Sequence, residues 1–137
     1  MTAFIKYSKC FYKDIKKNII IAGTFNRKEK ISKYGIPPNT KGIYMLYLTG
    51  TNICVYVGET MHSISSRIGR HKKSMNDPSW YGEFSGRKIH SAKLQNKKFT
   101  IKYITAKDLK IKTKLDSKTA EGMIIAALKP VVYGENK

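Results

Sequence analysis

Two phenols, a guanidinium, an imidazole and an isolated carboxylate are the groups in this chain whose spacing could do chemistry. Gly42-Ile43-Tyr44 and Tyr56-Val57-Gly58 are separated by eleven residues, a hairpin's span. Arg67 and His71 follow one helical turn apart in a basic segment, and Glu121 stands alone later in the chain. Cleaving a phosphodiester requires a positioned water, charge neutralisation on the phosphoryl oxygens and help for the leaving oxygen. Either tripeptide alone occurs by chance in many strands. Together with Arg67, His71 and Glu121 they point to a metal-dependent phosphodiester-cleaving site.

The elements that must position these residues can be read in order. Gly42 to Leu48 and Ile53 to Val57 are rich in Ile, Val, Leu and Tyr, and Thr49-Gly50-Thr51-Asn52 between them is suitable hairpin chemistry. After Gly58 the pattern becomes helical: Ile64 and Ile68 are spaced i, i+4, and Arg67 and His71 repeat that spacing. This helix should end near Asn76-Asp77-Pro78. Trp80 to Gly86 reads as a loop, Lys88 to Leu94 as a short helix, and Phe99 to Ile104 as a third, alternating strand. Asp116 or Ser117 can cap a last helix running to Leu128, which Pro130 ends. Upstream, Phe4 to Tyr7 and Ile19 to Gly23 lean towards β structure around a lysine-rich segment, and Gly35-Ile36-Pro37-Pro38-Asn39 is a turn or linker. The expected class is α+β: a small antiparallel three-stranded central sheet flanked by helices. An N-terminal extension or arm covers residues 1–36, and one compact unit covers residues 37–137.

Composition narrows the partner. The 137 residues suffice for one domain with a modest core, and 41% hydrophobic content argues against disorder throughout. A formal charge of +18, from 27 basic and 9 acidic residues, calls for a polyanion, and nucleic acid is the foremost candidate. An anionic membrane surface would also attract it, yet no run approaches the roughly 18 apolar residues of a membrane span. Lys6, Lys9, Lys13, Lys16 and Lys17 interrupt any leader-like stretch, so an intracellular, cytoplasmic protein is expected, in the host cytoplasm if the source is viral. Only four of the basic residues are arginines, Arg27, Arg67, Arg70 and Arg87. A lysine-dominated surface favours attraction to the backbone over base reading. Cys10 and Cys54 have no pairing or zinc spacing, and buried, reduced thiols are expected.

With these motifs in view, the sequence resembles the GIY-YIG nuclease superfamily over roughly residues 41–136. The resemblance rests on Gly42-Ile43-Tyr44, on Tyr56-Val57-Gly58 with valine in place of the family's isoleucine, on Arg67 in the next helix and on Glu121 near the start of a late one. Lys88-Ile89-His90-Ser91-Ala92 is also similar to a stretch of a small phage endonuclease of that family. The resemblance implies a DNA endonuclease that uses Mg²⁺ or Mn²⁺ held by a single carboxylate, Glu121, and leaves 5′-phosphate and 3′-hydroxyl ends. Arg67 would pair with the scissile phosphate. Tyr56 would orient or deprotonate the attacking water, with help from adjacent cations because a free phenol titrates near ~10. Tyr44 would complete the hydrogen-bond network, and His71, with a reference pKa of about 6.5, is the second candidate to relay the proton. Arg70, Lys72, Lys73, Arg87, Lys88 and Asn136 are the expected DNA contacts. Asn136 stands for an asparagine the family often carries after the late helix, a place Gly134 also competes for. Glu59, directly after the second tripeptide, is a second metal ligand or a partner for a nearby lysine.

Blander readings compete at each position. A single Glu on a helix is usually solvated surface, although Ala120, Met123, Ile124 and Ile125 around Glu121 suggest partial burial. His62 and His90 read as structural or surface residues, Cys54 as core, and Tyr47, Tyr81, Tyr103 and Trp80 as packing residues, with Trp80 and Tyr81 able to stack on bases. No histidine-metal finger, no Asp…Glu-x-Lys string and no Gly-rich nucleotide loop is present. The serious alternative is a non-catalytic or repair-associated nucleic-acid-binding module on the same fold. Double-stranded DNA is the expected partner. One active site per chain means that cutting both strands takes two visits or a homo-oligomer, and the lysine-rich N-terminus is available as a DNA grip or a dimer contact.

Overall fold

Strand-length runs of Ile, Val and aromatic residues alternate with amphipathic segments along this chain, and the computed structural model, which describes residues 3–29, 35–80, 85–113 and 115–134, folds them into a helix-flanked antiparallel sheet. In order, the elements are α1 (Ala3–Ile15), a 3₁₀ turn (Lys16–Asn18), β1 (Ile20–Phe25), β2 (Gly42–Leu48), β3 (Cys54–Thr60), α2 (Ile64–Asn76), α3 (Gly86–Ser91), β4 (Phe99–Thr105), α4 (Ala106–Thr113), α5 (Ser117–Leu128) and α6 (Val131–Gly134).

The class is α+β as expected, but the sheet has four strands, not three, in the order β1-β4-β2-β3. The extra strand comes from the N-terminal extension: β1 pairs with β4, Ile20 opposite Tyr103 and Phe25 opposite Phe99. The first expected β stretch, Phe4–Tyr7, is instead helical. Phe4, Ile5 and Tyr7 among lysines look like a strand locally, whereas Ser8, Phe11 and Ile15 repeat at helical spacing and are the residues α1 buries. That stripe packs on α5. The third helix also begins earlier than expected, at Gly86, because Ser85 accepts a hydrogen bond from the Lys88 amide and caps it.

β2 is central, and six of its seven residues are buried because helices cover both faces of the sheet. Residues Tyr44, Leu46, Tyr56, Ile101 and Tyr103 turn to one face, where Ile64, Ile68 and Met75 of α2, Ile89 of α3 and Val132 of α6 pack on them. Ile43, Met45, Val57 and Ile104 turn to the other, under Phe11 and Ile15 of α1, Leu109 of α4 and Ala120, Met123 and Ile124 of α5. A bulge interrupts the β2–β3 ladder. Tyr47 pairs with Cys54 and Leu46 with Tyr56, leaving Val55 as the extra residue, so Val55 and Tyr56 both face the α2 side. After α5 the chain reverses at Lys129, in the left-handed conformation with φ 49°, and passes Pro130 to reach α6.

Candidate active site

Both tripeptides lie where the hairpin brings them side by side. Tyr44 pairs across the ladder with Gly58, and Leu46 with Tyr56, so the two phenols occupy the same face two residues out of register. Their ring centroids are 6.0 Å apart. The Ile64–Asn76 helix supplies the third ring. Ser63 caps it by accepting from the Ser66 amide, and Ile64 and Ile68 anchor its apolar stripe, which aims His71 at the phenols. Tyr44 Oη and His71 Nε2 are 2.6 Å apart in a buried hydrogen bond. The His71 ring meets that of Tyr56 edge-on, with 4.7 Å between centroids.

Each glycine has a separate physical reason. At Gly58 an added Cβ would lie 2.5 Å from the Tyr44 hydroxyl and 2.8 Å from the Tyr56 ring, so only hydrogen fits between the phenols. Gly42 has φ +149°, and an added Cβ would press on the Ile104 carbonyl and on the Ala106 amide, where β2 passes the end of β4.

Burial first, and then the charges of Arg67 and Arg70, push His71 down to about 3. The ring is therefore neutral at physiological pH. The expected relay role assumed an ordinary pKa, and burial holds this imidazole well below it. A neutral imidazole instead holds the Tyr44 hydroxyl. Arg67 is half-buried one turn before His71, and its charge is felt at the imidazole. Tyr44, Tyr56, His71 and Arg67 thus form one neighbourhood.

Glu121 is supplied by a helix later in the chain. It is half-buried on α5, at the margin of the Ala120–Ile124 stripe that packs on the opposite face, and α5 touches β3, the strand carrying Tyr56 and Gly58. By alternation Glu59 shares the face of Val57, the α5 side. Among the described residues no three His, Cys, Asp or Glu side chains converge. A protein-only cage for zinc is thus missing there, while a hydrated Mg²⁺ needs only one or two carboxylates, and the half-buried Glu121 carboxylate is of that donor type.

The expected nucleic-acid contacts sort by helix. Arg70 and Lys73 are exposed and Lys72 half-buried on α2; Arg87 is exposed and Lys88 half-buried on α3, which packs beside α2. All five thus ride on helices that cover the phenol-bearing face. Lys73 Nζ lies 4.9 Å from the centroid of Trp80, a cation–π pair that keeps the indole beside this basic surface. Tyr81 and Asn136 lie outside the described residues. Cys54 is buried, and burial pushes its thiol up to about 12, so it is no nucleophile. Cys10 is exposed on α1, contrary to the expected buried thiol, because it falls off the Ser8–Phe11–Ile15 stripe. His62 is exposed, and Tyr47 and Tyr103 are buried packing residues.

Tyr103, read from the sequence as a packing residue, pairs with Tyr44 from β4 and places a third buried phenol on that face. Its signal was the alternation of Phe99, Ile101 and Tyr103. No protein-family model matches the chain, and comparisons with curated proteins and with solved structures give no match. Among the described residues no helix is long and apolar enough to cross a membrane.

Proposed function

We propose that this chain is a divalent-metal-dependent DNA endonuclease of the GIY-YIG type, hydrolysing phosphodiesters to 5′-phosphate and 3′-hydroxyl ends. One observation carries the reading: the two tripeptides and the following helix converge on a Tyr44–His71–Tyr56 cluster with Arg67 beside it, shaped by a glycine that has no room for a methyl group. The surplus of 18 positive charges and the basic side chains of α2 and α3 supply attraction to a phosphate backbone.

In this reading Arg67 binds the non-bridging oxygens of the scissile phosphate and meets their developing charge. Tyr56, as its phenolate, orients the attacking water and takes its proton, while the leaving 3′-oxygen takes a proton from solvent to end as the hydroxyl. Tyr44, fixed by neutral His71, holds Tyr56 in place through the shared ring cluster, so His71 is a positioning residue. A Mg²⁺ or Mn²⁺ held by Glu121 would add charge neutralisation at the phosphoryl group.

A second reading is favoured by one specific observation. Tyr44, Tyr56 and His71 are 0%, 3% and 7% exposed, values that also suit a packed aromatic core in a non-catalytic nucleic-acid-binding module. Supercoiled plasmid separates the two. With Mg²⁺ or Mn²⁺ the endonuclease converts it to open-circular or linear forms; plasmid that stays supercoiled across metals and salt concentrations leaves only the binding module.

A further inference from the structure

Helix α1 carries a second cationic surface, on the far side of the sheet from the phenols. Its buried residues, Ser8, Phe11 and Ile15, face α5 and the sheet face opposite Tyr44 and Tyr56. Lys6, Lys9 and Lys13 are all exposed. At 3.6 residues per turn they form one stripe, roughly 150° around the helix from the buried one. Lys16 and Lys17 extend the exposed row into the 3₁₀ turn, with Asp14 the one acid between Lys6 and Lys17. Phe4 and Tyr7 on the same helix are 55% and 67% exposed.

We infer that α1 is a second nucleic-acid-binding surface, which tracks the phosphate backbone of a DNA segment other than the one at the phenol face, so that one chain bridges two duplexes. The thirteen residues of α1 make a rod about 20 Å long, close to six base-pair rises of about 3.4 Å. That length suits lysine point charges spaced along a backbone, and exposed aromatic rings can pack on sugars or unstacked bases. A straight duplex against α2 and α3 cannot also reach α1, because the sheet and the body of α1 intervene. A second copy of the chain is the wrong occupant, since it would bring another +18 to the lysine row. A lipid surface fits less well. An interfacial helix inserts a continuous apolar face, and the apolar face of α1 is already spent on α5.

The inference rests on nucleic acid as the substrate but not on cleavage, so it is tested with metal chelated. Donor- and acceptor-labelled 30-base-pair duplexes are mixed with the full chain, and energy transfer reports bridging. Sedimentation at the same concentration fixes the oligomeric state, and monomers must show the transfer. The variant Lys6→Gln, Lys9→Gln, Lys13→Gln, Lys17→Gln should lose at least tenfold in bridging. Its Kd for a single duplex should move less than threefold, and the same four sites changed to Arg should bridge as the natural chain does. The log–log salt dependence of bridging should fall by about 3.6 in slope, about 0.9 for each of the four lost phosphate contacts. Equal bridging by the Gln variant, or transfer that tracks dimers alone, overturns the inference. So does a Gln variant whose only defect is binding to vesicles rich in phosphatidylserine. A chain that bridges but never cuts plasmid would sink the endonuclease reading and leave this one standing.

Discussion

Replacing Gly58 with alanine puts a methyl group where two phenols already meet. The new carbon would sit 2.5 Å from Tyr44 Oη and 2.8 Å from the Tyr56 ring. Ordinary contact begins near 3.5 Å, so the rings must separate by about 1 Å. Neither has a way out. Tyr44 is fully buried and Tyr56 nearly so, and the Tyr44 hydroxyl is held 2.6 Å from His71. Overpacking of this kind costs about 1–3 kcal/mol, and a lost buried hydrogen bond adds about 1 kcal/mol. For a domain of this size a total of about 2–4 kcal/mol lowers Tm by roughly 8–16 °C. A displacement of about 1 Å in a positioning group can also slow chemistry about a hundredfold. Thermal unfolding by circular dichroism and plasmid cleavage well below Tm measure the two effects separately. Gly69→Ala is the matched control, since nothing lies within 4 Å of its added Cβ and alanine favours the helix. A Gly58→Ala protein as stable and as active as the natural one would refute a phenol cluster closed around that glycine.

Burial makes His71 a source of acid sensitivity. The folded chain holds the imidazole neutral down to about pH 3, whereas the unfolded chain takes up a proton below its ordinary value of about 6.5. Stability from this group is therefore complete above about pH 6.5 and is lost as pH falls towards 3, by up to about 1.4 kcal/mol per pH unit. Urea titrations between pH 4 and 7.5 should show His71→Gln flattening that slope, and an unchanged slope would contradict a buried neutral ring. Arg67→Ala should lower the cleavage rate by roughly 10²–10³ with little change in Tm, because a donor to the phosphoryl charge is lost from a half-buried position. Single-turnover rates on a labelled duplex check this, and an unaltered rate would remove Arg67 from the site. Glu121→Gln should abolish cutting while leaving duplex affinity equal or tighter, read by fluorescence anisotropy; parallel loss of binding and cutting would mark Glu121 as a folding residue instead.

The hairpin, the two basic helices, the β4 alternation and the capped last helix were legible because each is a local pattern with its own period or cap. The Asp116 side chain accepts from the Thr119 amide, as the capping residue type suggested. The Ile20–Phe25 strand was also visible, but not its place in the sheet, since pairing with β4 joins residues about eighty positions apart. Helix α1 was hidden because its exposed Phe4 and Tyr7 blur the stripe that Ser8, Phe11 and Ile15 define. At the site, residue types and spacing named the phenols, Arg67 and His71. They did not reveal that the imidazole is buried beside two guanidinium groups, nor that the Val55 bulge turns Tyr56 to the same face as Tyr44. The relation of Glu121 to that face depends on helix layers, which no motif spacing encodes.

The sharpest test follows the oxygen. A duplex cut in H₂¹⁸O with Mg²⁺ and analysed by mass spectrometry should yield one ¹⁸O in the 5′-phosphate of the product, and Tyr56→Phe should form little product under the same conditions. A duplex left whole by the natural chain, or label appearing in a 3′-phosphate, would contradict water attack directed by the Tyr56 cluster.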